Sequence, residues 1–179
     1  MKSLLLLLLS FGTAFCAEEN FTYRVTGLFA PEREAVFRET VAQMPEVKLV
    51  SVDFANAEAV FAFDSAVAFK DTKPDKIVQR LNELVGGKTR NTLGIATVLP
   101  TAKDKLTRIE IAVGGCDCKA CGLAAYESIS KIEGVAAATV SFRDGKLTAL
   151  IDPEKTSRTA IEDALKKRNV SITPAGSQK

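Results

Sequence analysis

The sequence predicts an α+β protein in which one folding unit is used twice. A shift of 88 residues overlays the chain on itself without a gap over about 40 residues, which indicates a tandem duplication. Both copies show the same succession of strand-like and helix-like hydrophobic patterns. The residues that recur at this spacing are Val25 and Val113, Gly27 and Gly115, Glu39 and Glu127, Val47 and Val135, Val52 and Val140, Phe54 and Phe142, and Asp64 and Asp152.

The second copy shows the order of elements most clearly. Ile109, Ile111 and Val113 alternate with polar residues, which is typical of a half-buried strand. The dipeptide Asp144-Gly145 fits a hairpin turn, because it tolerates a positive φ, and Ser157 fits a helix N-cap. The predicted elements are strand Leu106–Val113, helix Ala120–Ile132, strands Val135–Phe142 and Lys146–Ile151, a helix after Ser157 carrying Ile161, Ala164 and Leu165, and a strand at Val170–Ile172.

The first copy repeats this β-α-β-β-α-β order, with an insertion of about four residues near Ala66 to Phe69. Its predicted elements are strand Phe21–Thr26, helix Pro31–Gln43, strands Val47–Phe54 and Ala57–Phe63, helix Pro74–Leu84 and strand Thr92–Leu99. This order is that of the ferredoxin-like sandwich, so we expect two tandem ferredoxin-like βαββαβ sandwiches. The expected segments are 1–16 before the fold, a first domain at 18–99, a linker at 100–105, a second domain at 106–173 and a flexible tail at 174–179.

The N-terminal segment is typical of a secretory signal peptide. A positive head at Lys2 precedes an unbroken leucine run, and the apolar stretch of about 14 residues is shorter than the ~20 that a membrane span needs. Small residues precede two possible cleavage positions, after Ala14 and after Cys16, of which we favour the second. We expect a secreted or periplasmic mature protein without a stable membrane span. A lipid anchor on Cys16 is disfavoured, because the bulky Phe15 precedes it.

Composition excludes several kinds of function. The chain has no His, which removes His-based catalysis and His-containing metal sites. A net charge of +2 lacks the basic surplus of a nucleic-acid binder. The sequence also offers no pair of a nucleophile with a general acid or base, so we do not expect an enzyme.

Three cysteines lie together between the first strand and the first helix of the second copy. Gly114-Gly115 is followed directly by Cys116, and Cys118 and Cys121 come shortly after it. Two thiols three residues apart at a helix start converge with little strain, and the positive end of the helix favours the thiolate form. Thiolates are soft ligands for Cu(I), Hg(II), Zn(II) and Cd(II).

Gly115, Cys118 and Cys121, followed by Ile132-Glu133-Gly134-Val135, resemble the heavy-metal-associated domain. This family includes copper(I) chaperones, N-terminal domains of copper-transporting P-type ATPases and periplasmic mercury-binding proteins. The resemblance implies Cys118 and Cys121 as metal ligands, a Cu(I) cargo with Hg(II) or Zn(II) as alternatives, and transfer to a metal-transporting membrane protein or another such domain. The implied function is an exported carrier or sequestering protein for a soft metal ion.

The chain departs from the family pattern in both copies. Cys116 replaces a methionine of the family motif, and it is either a buried apolar residue or a third thiolate ligand. The family often places Tyr or Lys near the metal before the last strand, where this chain has Val170. The first copy has lost the site, since Ala30 and Arg33 stand where the second copy has Cys118 and Cys121.

Alternatives to metal carriage remain open in the sequence. Cys118 and Cys121 also fit a disulfide without a metal role, or a periplasmic thiol–disulfide redox protein. A third alternative is an interaction scaffold, for which Phe29 in the former metal loop and the insertion at Ala66 to Lys70 are candidate docking surfaces; otherwise Phe29 is one exposed apolar residue.

Overall fold

The computed structural model describes residues 18–114, 119–141 and 144–172. The predicted signal peptide with Cys16, the residues Cys116 and Cys118, and the predicted tail from 174 lie outside these ranges. Among the residues described, no helix is both long enough and apolar enough to cross a membrane.

The first domain forms a four-stranded antiparallel sheet with helices packed on it. Its elements are β1 (Glu19–Thr26), α1 (Glu32–Ala42), β2 (Lys48–Asp53), β3 (Glu58–Phe63), the short α2 (Ser65–Ala68), a 3₁₀ turn (Pro74–Lys76) continuing into α3 (Ile77–Thr89), and β4 (Gly94–Ala96). The strand order is β2-β3-β1-β4, so β1 and β3 lie in the centre of the sheet. The loop from β1 to α1 leaves the end of a central strand, and in sequence it corresponds to the segment of the second copy that contains Cys116 and Cys118.

The second domain has the same topology. Its elements are β5 (Thr107–Gly114), α4 (Lys119–Ser130), β6 (Val135–Ser141), β7 (Lys146–Ile151), α5 (Arg158–Lys167) and β8 (Ser171–Ile172), with strand order β6-β7-β5-β8. The register also repeats, because Glu19 pairs with Phe63 as Thr107 pairs with Ile151, each 88 residues further on. The prediction of two tandem α+β sandwiches of the ferredoxin-like type is confirmed.

Aromatic side chains fill the core of the first domain. Phe37, Phe61 and Phe63 are completely or almost completely buried, and Phe37 meets Phe61 edge to ring at 6.1 Å between centroids. Phe69 also lies in this core and makes an edge contact of 5.0 Å with Phe63. The insertion therefore contributes a core side chain, and the interpretation of Ala66 to Lys70 as a docking surface is wrong for its aromatic residue.

The end of the first domain differs from the sequence prediction. The strand expected at Thr92–Leu99 is only Gly94–Ala96. The reason is local, since Arg90 and Asn91 both adopt a left-handed conformation, with φ of 52° and 58°, and delay the return to extended backbone. Helix α3 reaches Thr89, five residues beyond the predicted end at Leu84, and the left-handed Arg90 ends it there.

The linker is fastened to both domains by polar contacts. The hydroxyl of Thr101 donates to the carboxylate of Asp152, and the ammonium of Lys103 pairs with the carboxylate of Glu58. Asp152 is buried and also accepts from the backbone N–H of Glu154. The hydrogen bond from Thr101 is the main cause that lowers the pKa of Asp152 below its usual value. The linker thus joins the first domain to the turn after β7.

We expect this contact to make stability depend on acid pH. Because the pKa of Asp152 is lower in the folded than in the unfolded chain, its carboxylate stabilises the fold above its usual pKa, and this contribution is lost as the pH falls through the folded value. Asp152→Asn should therefore lower stability at pH 7 and approach the parent chain's stability at acid pH. Urea unfolding across this pH range measures the difference. Asp71→Asn, at an exposed loop position, is the control, and an equal loss for Asp152→Asn at every pH would contradict the linkage.

Candidate metal centre

Cys121 lies in the first turn of α4, the helix that follows β5 in the chain. Its side chain is half-buried and packs against the hydrophobic core of the second domain. The positive end of the helix dipole is close to this position and favours a thiolate. The fold therefore places one predicted ligand where a negative sulfur is stabilised.

Cys121 is disulfide-bonded in the structure. The other three cysteines lie outside the described residues, so Cys116 and Cys118 as ligands stay predictions from the sequence. A sulfur in a disulfide is not a thiolate and cannot serve as a metal ligand in that form. Binding of a metal ion by Cys121 therefore requires its reduced form.

Val170 lies where the sequence predicts it, directly before β8. It is partly buried and packs against the same core cluster as Cys121. Asn169, just before it, has a left-handed conformation with φ of 58°, which is typical of a residue that follows the end of a helix. In the part of the chain that the structure describes, no group of three or more Cys, Asp or Glu side chains is arranged to hold a metal ion.

An arginine organises the corresponding loop of the first domain. The guanidinium of Arg33 donates to the carbonyl of Gly27 at 3.2 Å and to the carbonyl of Thr92 at 2.8 Å. It also stands 5.6 Å from the ring centroid of Phe29. Ala30, at the position of the other cysteine, is buried. A fixed positive group thus ties this loop to the segment before β4, at the position equivalent to Cys121.

Phe29 docks this loop onto the second domain. Only 8% of its surface is exposed, and both Phe29 and Ala30 belong to the second domain's core cluster. The carbonyl of Phe29 accepts from the backbone N–H of Val140 at 2.8 Å, on the edge strand β6. Phe29 is therefore a docking contact, and its partner is the other half of the same chain. The alternative of a single exposed apolar residue is wrong.

Sequence reasoning missed Tyr126, which receives this loop. Its hydroxyl accepts a hydrogen bond from the backbone N–H of Gly27 at 2.7 Å, and its ring lies 5.5 Å from that of Phe29. The available signal was the repeat itself, because the exposed Arg38 stands at the equivalent position of the first copy. A polar residue in one copy and an aromatic residue in the other indicate that this helix face is exposed in the first domain and buried in the second.

Arg24 secures the other end of α4. Its guanidinium donates to the carbonyl of Ser130 at 3.2 Å and to the carbonyl of Val135 at 2.8 Å. Ser130 is the last residue of α4, so a cation sits at the negative end of the helix dipole. Burial lowers the pKa of Arg24. The helix that carries Cys121 is thus held by the first domain at its middle and at its end.

Comparison with known proteins shows what part of this chain is similar to. Over 65 residues the chain is 34% identical to a zinc-transporting ATPase of Synechocystis sp. (strain ATCC 27184 / PCC 6803 / Kazusa), an alignment that covers 36% of this chain and 9% of the ATPase. The resemblance to heavy-metal-associated domains is confirmed. The chain spans only a small part of that ATPase, and no family model matches the chain.

The chain is also similar to solved structures. Oxidized MerP from Ralstonia metallidurans CH34 is 27% identical, with coverage of 38% of this chain and 97% of that one and a TM-score of 0.36. The N-terminal soluble domains of Bacillus subtilis CopA are 20% identical, with coverage of 92% and 98% and a TM-score of 0.37.

Proposed function

We propose that this protein, in its reduced form, binds a soft metal ion through Cys118 and Cys121 and carries or sequesters it outside the cytoplasm. The observation that supports this most is the place of Cys121, in the first turn of the helix that follows the first strand of a ferredoxin-like domain. Cys118 precedes it by three residues, the spacing at which two thiols share one ion. The similarity to a zinc-transporting ATPase supports the same class of function.

Cu(I) is the cargo we favour, with Hg(II) and Zn(II) as alternatives. Two thiolates alone suit the low coordination number of a soft monovalent ion and leave the ion open to a third sulfur ligand. A metal-transporting membrane protein or another heavy-metal-associated domain is the partner that this openness fits. Binding and transfer, rather than catalysis, is the role that follows.

A metal titration tests this proposal. The reduced two-domain chain is titrated with Cu(I) against a competing chromophoric chelator, alone and as the double variant Cys118→Ser with Cys121→Ser. We expect one equivalent to bind tightly to the parent chain and none to the double variant. Cys116→Met is the matched control. X-ray absorption of its copper complex shows whether the number of sulfur ligands around the copper ion falls. Equal Cu(I) binding by the parent chain and the double variant would contradict the proposal.

A thiol–disulfide redox protein is a second candidate, and the disulfide at Cys121 favours it. Such a protein exchanges its own disulfide with that of a substrate through a mixed disulfide. An insulin-reduction assay separates the two candidates. Turnover that depends on Cys121 supports the redox protein, whereas metal binding without turnover supports the carrier.

A further inference from the structure

The first domain contacts the C-terminal half of the helix that carries Cys121. Gly27 and Phe29 contact Tyr126 in the middle of α4, and Arg24 contacts the carbonyl of Ser130 at its last residue. These contacts are buried or partly buried, and the bond from Gly27 is only 2.7 Å long. The position of α4 against its sheet is therefore set by residues of both domains.

Phe29 and Cys121 also share a packing environment. Phe29 and Ala30 are part of the core cluster of the second domain, and Cys121 packs against this cluster. A well-packed interior transmits a change in one side chain to its neighbours. Removing the docked loop would thus alter the surface on which the Cys121 side chain rests.

We propose that the first domain is a positioning element for the metal site, with Tyr126 as the positioning residue that links the docked loop to Cys121. The proposal rests on the proposed function for its metal readout. The first domain has Ala30 and Arg33 where the second has Cys118 and Cys121, and Arg33 ties its loop to Gly27 and Thr92. Through Gly27 and Phe29 this loop, which we call the clamp, docks on Tyr126. Its role is to hold the Cys121 sulfur where a second sulfur can reach it.

The physical basis is preorganisation. Two sulfurs held close together bind an ion, or each other, more strongly than two sulfurs on a loosely held helix, because less conformational freedom is lost on binding. Metal affinity and the stability of the Cys121 disulfide should therefore fall together when the clamp is loosened. A substitution that lowered only the stability of the fold would change neither the metal affinity nor the stability of the Cys121 disulfide.

Tyr126→Phe tests this in the full two-domain chain. The variant keeps the ring on Phe29 but leaves the buried N–H of Gly27 without its acceptor. We expect Cu(I) affinity to fall about tenfold, as for other groups that orient a ligand. The reduction potential of the Cys121 disulfide in glutathione buffers should rise by about 30 mV for each tenfold loss of effective thiol concentration.

Tyr23→Phe is the matched control, because it makes the same chemical change in the first domain, where Tyr23 packs on Phe61 at 6.0 Å. It should leave affinity and potential unchanged. If the parent chain does not bind Cu(I), the proposed function fails, and the potential alone still decides the inference. A potential in Tyr126→Phe equal to that of the parent chain would overturn the clamp.

Discussion

Gly27→Ala is expected to lower the free energy of unfolding by about 3 kcal/mol and to loosen the docking of the two domains. Gly27 has a φ of +87°, which L side chains rarely adopt. A Cβ added there would lie 2.1 Å from the carbonyl oxygen of Thr92, an atom that belongs to the backbone and has little freedom to move. The loop would have to shift, and the bond from Gly27 to Tyr126 and the bond from Arg33 to Gly27 would both be strained.

Gly87→Ala provides the matched control, because it is a second glycine of the same domain with opposite surroundings. It lies in α3, is exposed, and an added Cβ meets nothing within 4 Å. Alanine in a helix interior should raise stability by about 0.5–1 kcal/mol. Urea unfolding measures the free energy of unfolding of both variants. A Gly27→Ala chain as stable as the parent chain would show that the loop can accommodate a Cβ at this position, contrary to the structure.

The sequence alone predicts the two domains because their hydrophobic periodicity and turn residues are local signals. Both copies keep the buried alternation of the central strands, such as Ile111 in β5 and Phe61 in β3, and the turn residues that end each strand. The extents of α3 and β4 were harder to predict. The left-handed conformations of Arg90 and Asn91, neither of which is a glycine, determine where α3 ends, and single-residue patterns do not reveal them.

The contact between the domains could not be predicted from local sequence patterns. Phe29 reads as a docking residue from the sequence, but its partner is found only when the two copies are placed in space. Tyr126 looks like an ordinary core aromatic on α4. Its hydroxyl meets Gly27, a residue 99 positions away, and no spacing rule connects the two.

Equivalent positions of the two copies explain why this face is covered in the second domain but exposed in the first. The face of α4 and β6 that receives the first domain carries Tyr126 and Ala136, both buried. The equivalent positions of the first domain carry Arg38 and Lys48, both exposed. At these two positions the first domain is therefore charged and exposed where the second domain is apolar and buried.

Oxidation is expected to abolish stoichiometric binding of a soft metal ion, the largest functional effect that the structure predicts. Cys121 is disulfide-bonded in the structure, and a sulfur that shares its electrons with another sulfur offers no thiolate to an ion. Reduction restores the thiol at the positive end of α4, where its deprotonation is favoured. Metal binding should therefore appear only after reduction.

Ag(I) is the suitable probe for this comparison, because it is soft and monovalent like Cu(I) but does not itself reduce a disulfide. Native mass spectrometry of the oxidised and reduced chains counts the bound ions directly. Cys121→Ser should bind weakly under both conditions, since it lacks both the disulfide and the ligand. One tightly bound Ag(I) on the oxidised parent chain would contradict the assignment of Cys121, because the ion would then be held by groups other than this sulfur.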